Sequence, residues 1–153
     1  MSAGASMRTI VHATDFSGVS TRAFHTACAL AQQERARLLV LHVLTPPSPF
    51  VNGKPPSSWV ELEARAHAAA ERRLETLVAR AKRARVDAQG RLVRGTPARS
   101  IVWCAKRARA NLIVIGTHGR SGLGRWFMGS VAARILQIAE CPVLTVRRGS
   151  RGR

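Results

Sequence analysis

The 153-residue sequence has few cysteines, no long hydrophobic run and few acidic residues. Its three cysteines, Cys28, Cys104 and Cys141, are isolated and odd in number, a pattern typical of buried free thiols in a reducing cytoplasm. A catalytic cysteine is the alternative. No apolar stretch approaches the roughly 20 residues of a membrane span, and residues 1–6 lack the apolar core of a signal peptide. We therefore expect a cytoplasmic protein with no membrane contact.

The scarcity of acidic residues gives the chain a strong positive charge. Eight Asp and Glu stand against 25 Lys and Arg, for a net charge of +17. Residues 88–153 contain thirteen basic residues and Glu140 as their single acid. Such a field attracts nucleotides, nucleic acids and anionic surfaces, so nucleic-acid or polyphosphate binding is one candidate function. A general preference for arginine, which supplies 22 of the 25 basic residues, would produce the same charge without that role.

The hydrophobic pattern alternates short apolar runs with amphipathic segments. It predicts a strand–helix unit four times and then a fifth strand, which is typical of a parallel sheet with helices on both faces. The predicted strands are Met7–Ala13, Leu38–Leu44, a weak edge strand over Val86–Leu92, Leu112–Ile115 and Val143–Val146. The first predicted helix follows Ser17 or Ser20, the second runs from Trp59 to about Arg85, and the other two follow Thr96 and Ser130. Residues 45–58 hold five of the seven prolines and are expected to form a loop or flap. We expect residues 1–6 to be flexible and 148–153 to form a basic tail, leaving one domain over 7–147.

A glycine-rich segment follows the fourth predicted strand. That strand ends at Gly116, several glycines follow, and Gly129-Ser130 begins the last helix. Glycines allow a ligand to approach the backbone, and the amides of a helix N-terminus favour an anion, so the segment suits a phosphate. Neither a Walker P-loop nor a dinucleotide-binding G-x-G-x-x-G motif is present. Ligands of parallel sheets bind beyond the carboxyl ends of the strands, so Asp15 and Gly116 would face one crevice if their strands are neighbours.

These residues resemble the ATP-binding members of the universal stress protein family. Their loop pattern, G-2x-G-9x-G-[S/T], is matched by Gly116, Gly119 and Gly129-Ser130. Similar segments are residues 10–17, 41–43, 95–97 and 141–146, so the resemblance covers about residues 7–147. It implies a Rossmann-like, three-layer α/β fold of the adenine nucleotide alpha hydrolase type, with a five-stranded parallel sheet in the order 3-2-1-4-5 and four helices.

The resemblance also implies which residues bind the nucleotide. At the adenosine end it places Ala13, Thr14 and Asp15, with Val43 contacting adenine through its backbone, and Ile115 and Gly116 flanking the ribose. At the phosphate end it places Gly119 and Gly129, with Ser130 and the N–H of Val131 as donors. His118 and Arg120 are further candidates for phosphate contact, although exposed side chains without a role are equally consistent with the sequence. Asp15 could instead serve only as a helix-capping acid.

The family further implies a function and its partners. We expect ATP (or AMP or ADP) as ligand, with Mg²⁺ or Mn²⁺ held through the phosphates rather than by side chains, and a nucleotide-dependent switch in stress response with at most slow hydrolysis. A homodimer is expected through the Val143–Val146 edge. The alternatives are a basic nucleic-acid or polyphosphate binder, a dimeric family member without nucleotide, and an ATP-consuming enzyme, whose extra catalytic segments so short a chain lacks.

Two positions depart from the family pattern. Ala13 stands where many members have proline, which could loosen the first loop, and Asn111 stands where an acid is common. We expect little consequence from Asn111, because it precedes the strand. His12 and His42 lie on adjacent predicted strands and are expected to be core residues rather than a metal pair, since no third ligand has suitable spacing.

Overall fold

The computed structural model describes residues 7–45, 57–117 and 129–147. These ranges contain five strands and four helices in strict alternation. In chain order they are β1 (Thr9–Ala13), α1 (Gly18–Glu34), β2 (Arg37–Leu44), α2 (Ser57–Arg83), β3 (Ala88–Arg94), α3 (Pro97–Arg107), β4 (Leu112–Gly116), α4 (Ser130–Ile138) and β5 (Val143–Val146). None of these helices combines the length and the hydrophobicity that crossing a membrane requires.

All five strands are parallel and lie in the order β3-β2-β1-β4-β5. The predicted order is therefore confirmed. β1 is central: Ile10 is level with Leu38 on one side and with Leu112 on the other. The strand order reverses between β1 and β4, and this is where open α/β sheets leave a crevice at their carboxyl edge.

The two faces of the sheet are covered by different pairs of helices. One core cluster packs α1 and α2 against the sheet through Phe24, Ala27 and Leu74. The other packs α3 and α4 against the opposite face through Ile101, Ala105 and Ile135. Residues 10–12 of β1 have no exposed surface, as expected for a strand covered on both faces. The structure is thus the predicted three-layer α/β sandwich.

Some element boundaries differ from those predicted. β1 begins at Thr9 rather than Met7, and α2 begins at Ser57 rather than Trp59. The edge strand β3 runs to Arg94, since its pairing with β2 continues to Leu44. Thr96 is the N-cap residue of α3, as predicted, but its side chain makes no capping hydrogen bond.

Asn111 joins the starts of β1 and β4. Its Oδ1 accepts hydrogen bonds from the N–H groups of Arg8 at 2.8 Å and Thr9 at 3.0 Å. Its own N–H donates to the Thr9 carbonyl oxygen at 2.8 Å. These contacts use only the Oδ1 acceptor, which an aspartate would also supply, so the expectation of little consequence from asparagine in place of an acid stays a prediction.

Candidate functional site

A cavity of about 290 Å³ lies at the carboxyl edge of the sheet, where β1 and β4 diverge. It is near the small end of the range usual for ligand sites. Nine of the residues named from the sequence line it: Ala13, Thr14, Asp15, Val43, Ile115, Gly116, Gly129, Ser130 and Val131. The remaining three, His118, Gly119 and Arg120, lie outside the described residues. The end of β1 and the start of α4 therefore meet at one space.

The turn after β1 is held by a small hydrogen-bond network. Thr14 is buried, and its Oγ1 accepts from the N–H of Phe16 at 3.0 Å and from the hydroxyl of Ser20 at 2.7 Å. Asp15 Oδ1 accepts from the N–H of Ser17 at 2.9 Å. Ser17 is in turn the N-cap of α1, its side chain accepting from Ser20 N–H. Asp15 is therefore not the capping residue, and its half-buried carboxylate is fixed at the rim of the cavity.

Phe16 adopts a strained conformation beside this turn. Its φ of 62° is in the left-handed region, which an aromatic residue rarely occupies and which costs about 1–3 kcal/mol. The ring lies 4.4 Å from the His42 ring and 4.4 Å from the Arg73 guanidinium carbon. Arg73 also donates to the Phe16 carbonyl at 3.3 Å. These contacts, from β2 and α2, hold the turn that presents Asp15.

β2 extends past the end of β1 and exposes backbone at the cavity. The last register pair between the two strands is Ala13 with Leu41, and Thr14 N–H donates to the Leu41 carbonyl at 2.8 Å. In a parallel ladder alternate residues direct their N–H and C=O to the same side, so those of Val43 point toward the β1 side beyond its end. Next to it, His42 Nδ1 donates to the Thr14 carbonyl at 2.7 Å.

Gly116 lets the end of β4 approach the start of α1. A side-chain carbon at this position would lie 3.0 Å from Val19 Cγ1 and 3.3 Å from the backbone nitrogen of Ser20. Glycine is therefore favoured at this position because a larger residue would collide with α1. Beyond it, Thr117 N–H donates to Val146 O at 3.0 Å, and Gly129 N–H donates to Thr117 O at 2.6 Å. This last bond places the start of α4 against the end of β4.

The N-terminus of α4 opens into the cavity. Its first hydrogen bond within the helix runs from Ala133 N–H to the Gly129 carbonyl at 3.0 Å. The amides of residues 130–132, all of which line the cavity, therefore have no acceptor within the helix. A helix start with such amides carries a partial positive charge and suits an anion. Gly129 itself has φ −58° and ψ 146°, a conformation open to any residue, so its backbone does not require glycine.

His12, a buried ionisable group near the site, is kept uncharged. His12 is fully buried; its Nδ1 donates to the Val114 carbonyl at 3.0 Å, and burial lowers its pKa to about 4. Its Nε2 has no hydrogen-bond partner among the described residues. Within those ranges no group of three or more His, Cys, Asp or Glu side chains could hold a metal ion. His12 and His42 each donate Nδ1–H to a backbone carbonyl, the arrangement of core histidines.

All three cysteines are free thiols. Cys104 is buried as expected, whereas Cys28 and Cys141 are half-buried, because each lies at the margin of its core cluster. Burial raises the pKa of Cys28 to about 11 and raises the pKa values of Cys104 and Cys141. A raised pKa disfavours the thiolate that nucleophilic catalysis needs, so the geometry gives no support to a catalytic cysteine.

The sequence did not single out every residue around the cavity. Pro97, Ile101 and Ile135 also line it, and their side chains belong to α3 and α4. Ile101 and Ile135 belong to the apolar sides of α3 and α4, but only the topology shows that they face this edge. Phe16 and Arg73 carried no signal, since a left-handed aromatic residue is not apparent from sequence.

Comparison with known proteins places this geometry in a family. The family model described as "Universal stress protein family" matches residues 7–147. A universal stress protein of Thermus aquaticus is 36% identical over 149 residues, covering 92% of this chain and 98% of the relative. One of Methanocaldococcus jannaschii is 34% identical over 139 residues, covering 91% of this chain and 81% of the relative. The solved structure of a universal stress protein in complex with cAMP is 27% identical and has a TM-score of 0.71. The match covers 93% of this chain and 98% of that structure. The chain belongs to the universal stress protein family.

Proposed function

We propose that this protein binds an adenine nucleotide, ATP among them, in the cavity at the carboxyl edge of the sheet. The observation that carries the proposal is the meeting of the β1 turn, the end of β4 and the α4 N-terminus around one space of about 290 Å³. The related structure that holds cAMP supports the ligand class. The ends of the cavity differ in charge, and this difference sets the orientation of the nucleotide.

The adenosine end is assigned to the side of β1 and β2. Asp15 contributes a carboxylate, which accepts hydrogen bonds from sugar hydroxyls and repels phosphates. Val43 directs its backbone N–H and C=O into the space beyond β1, and one donor beside one acceptor matches the edge of adenine. Ala13 and Ile115 provide apolar contacts on either side. Recognition through the backbone discriminates between bases without using charge.

The phosphate end is assigned to the start of α4. The amides of Ser130 and Val131 and the Ser130 hydroxyl are donors at the positive end of the helix dipole. His118, Gly119 and Arg120 belong to the same proposed site through the family pattern. A divalent ion, Mg²⁺ or Mn²⁺, would be held by phosphate oxygens, since the described residues offer no cluster of metal ligands.

We assign the protein a binding role in stress response, with at most slow hydrolysis. Among the described residues that line the cavity, Asp15 has the only carboxylate, and it belongs to the proposed adenosine end. No described acid is thus in position to activate water beside the phosphates. Nucleotide binding would then act as a regulatory switch.

The decisive measurement is nucleotide affinity in glycine variants. Gly129→Val should reduce ATP affinity by more than about 100-fold, which is about 3 kcal/mol, because its side chain would fill space beside the phosphates. The backbone conformation of Gly129 accepts any residue, so the fold should persist. Gly119→Val should have the same effect. Isothermal titration calorimetry measures the affinity, and thermal unfolding checks the fold.

Gly18→Val is the matched control for these variants. A side-chain carbon at Gly18 would meet nothing within 4 Å, and the residue does not line the cavity. This variant should bind ATP like the wild type. Unchanged affinity in Gly129→Val, or no binding of any adenine nucleotide by the wild type, would refute the site. In the second case a dimeric member without nucleotide would be the better description.

We also propose a homodimer formed through β5. β5 ends the sheet and pairs with β4 on one side, leaving its other edge without a neighbouring strand in the described structure. Leu144 on this strand is 37% exposed. An unpaired apolar edge is a ready site for pairing with a second copy of the same strand.

A further inference from the structure

A tryptophan is exposed in the middle of α3. Trp103 is 55% exposed, and Arg99 and Arg107 stand four residues before and after it, also exposed. Residues four apart lie on the same side of a helix, one turn from each other. The three side chains therefore form a continuous stripe about 12 Å long, which we call the Arg-Trp-Arg stripe.

One arginine of the stripe contacts the tryptophan ring. The guanidinium carbon of Arg107 lies 5.2 Å from the centroid of the Trp103 ring, within cation–π distance. Arg91, on the edge strand β3, lies close enough to Cys104, the residue after Trp103, to oppose the rise in the pKa of that thiol. The cationic surface thus continues from the stripe toward β3.

These positive charges are not neutralised. Residues 88–139 contain no aspartate or glutamate. The two nearby acids are already engaged, Glu140 with Lys106 at 2.7 Å and Glu63 with Arg94. Arg91, Arg99 and Arg107 have no carboxylate partner among the described residues. The surface is therefore complementary in charge to a polyanion.

The stripe is separate from the nucleotide cavity. Ile101 lines the cavity and is buried in the core of α3 and α4. Trp103 is two residues further along the helix, about 200° around its axis, and so lies on the opposite side of α3. A ligand on the stripe would not compete with a nucleotide in the cavity.

We propose that the Arg-Trp-Arg stripe binds single-stranded nucleic acid. An unpaired base stacks on the Trp103 ring, while Arg99 and Arg107 contact the phosphates on either side of that base. Aromatic rings combined with cationic side chains are the usual platform for single strands, and stacking needs no particular base because every base has a π-face. The bases of a duplex are already stacked on each other and cannot use the ring.

The test is binding of a fluorescent ten-nucleotide oligothymidylate, measured by anisotropy with saturating ATP present. Trp103→Ala should weaken binding about 5- to 150-fold, because replacing one stacking aromatic side chain by alanine usually lowers the affinity for a single strand by that factor. Trp103→Phe should recover part of the affinity because a ring remains. Leu62→Ala on α2 is the control, since Leu62 is also apolar and is 61% exposed. It should leave binding unchanged.

A second pair of variants separates a specific surface from general attraction. Arg99→Ala with Arg107→Ala should weaken binding strongly and should reduce the slope of log affinity against log salt by about 1.4. Arg72→Ala with Arg83→Ala removes the same charge from the exposed side of α2 and should have a small effect. Thermal unfolding of each variant confirms that the fold is retained.

Three results would overturn the proposal. Equal losses in the two double-arginine variants would mean that only net charge attracts the oligonucleotide. Full affinity in Trp103→Ala would remove the stacking contact. Tighter binding of a duplex, or of phosphatidylserine vesicles, than of the single strand would assign the surface to another class of partner.

Discussion

At the scale of single residues, His12 shows how burial controls charge. Its Nδ1–H is used by the Val114 carbonyl, its ring lies 5.8 Å from that of Phe24, and its Nε2 has no partner in the described structure. Burial lowers its pKa to about 4 from 6.5, opposed by the Val114 hydrogen bond and by the charge of Asp15. The neutral imidazole is therefore the form that the folded chain accepts.

This gives stability a defined dependence on pH. Above about pH 6.5 both folded and unfolded chains hold neutral His12, so it contributes no slope. As the pH falls toward 4, His12 binds a proton in the unfolded chain but not in the folded chain. The free energy of unfolding therefore decreases by up to about 3 kcal/mol. His12→Asn keeps a donor for Val114 and cannot titrate in this range. Urea unfolding at pH 7.5, 6 and 5 should show the weaker acid sensitivity in the variant. A difference between the two proteins that stays constant with pH would contradict the assignment.

At the scale of elements, Asn111 connects β1 to β4. Asn111→Ala removes an acceptor shared by the amides of Arg8 and Thr9, and we expect a loss of about 1–2 kcal/mol in the free energy of unfolding. Asn111→Asp retains an acceptor of the same shape and should be close to the wild type. Chemical denaturation of the two variants measures this comparison. Equal losses in both would show that the amide group, rather than the acceptor, is what matters.

The sequence predicted the elements better than their ends. Every strand and helix was anticipated because apolar runs and helical stripes are strong signals. The helix ends were less clear because the usual glycine is missing: Arg35 and Arg85 take the left-handed conformation at the ends of α1 and α2, with φ of 54° and 59°. Arginine gives no stop signal, so α2 was predicted to end two residues late.

The cavity was anticipated only in part, because some of its determinants are visible in the sequence and others are not. Strand ends and glycine spacing are visible in sequence and carry the family resemblance, and it was this resemblance that implied the nine lining residues. Contacts between distant elements are not visible: Phe16 against Arg73 joins the first loop to α2. Such contacts depend on topology, which the alternation of elements alone does not determine.

At the scale of the whole molecule, the proposed dimer can be tested at the β5 edge. Ile113 and Thr117 donate to the carbonyls of Pro142 and Val146, so the alternating Thr145 directs its N–H away from β4. Thr145→Pro should therefore leave the β4 pairing intact and block pairing with a second chain. Thr145→Ala keeps the N–H and serves as control. Sedimentation equilibrium should find a monomer for the proline variant and a dimer for the other; a dimer in both would place the interface elsewhere.

The central position of β1 has a consequence for synthesis on the ribosome. Once residue 94 has emerged, β1, β2 and β3 can pair, and α1 and α2 can cover one face of this half-sheet. The opposite face and the free edge of β1 must wait for residues 95–138, which takes about 2 to 9 s of translation. During that interval the nascent chain exposes the largely apolar strand β1, and this is when chaperones would have the greatest influence on its yield.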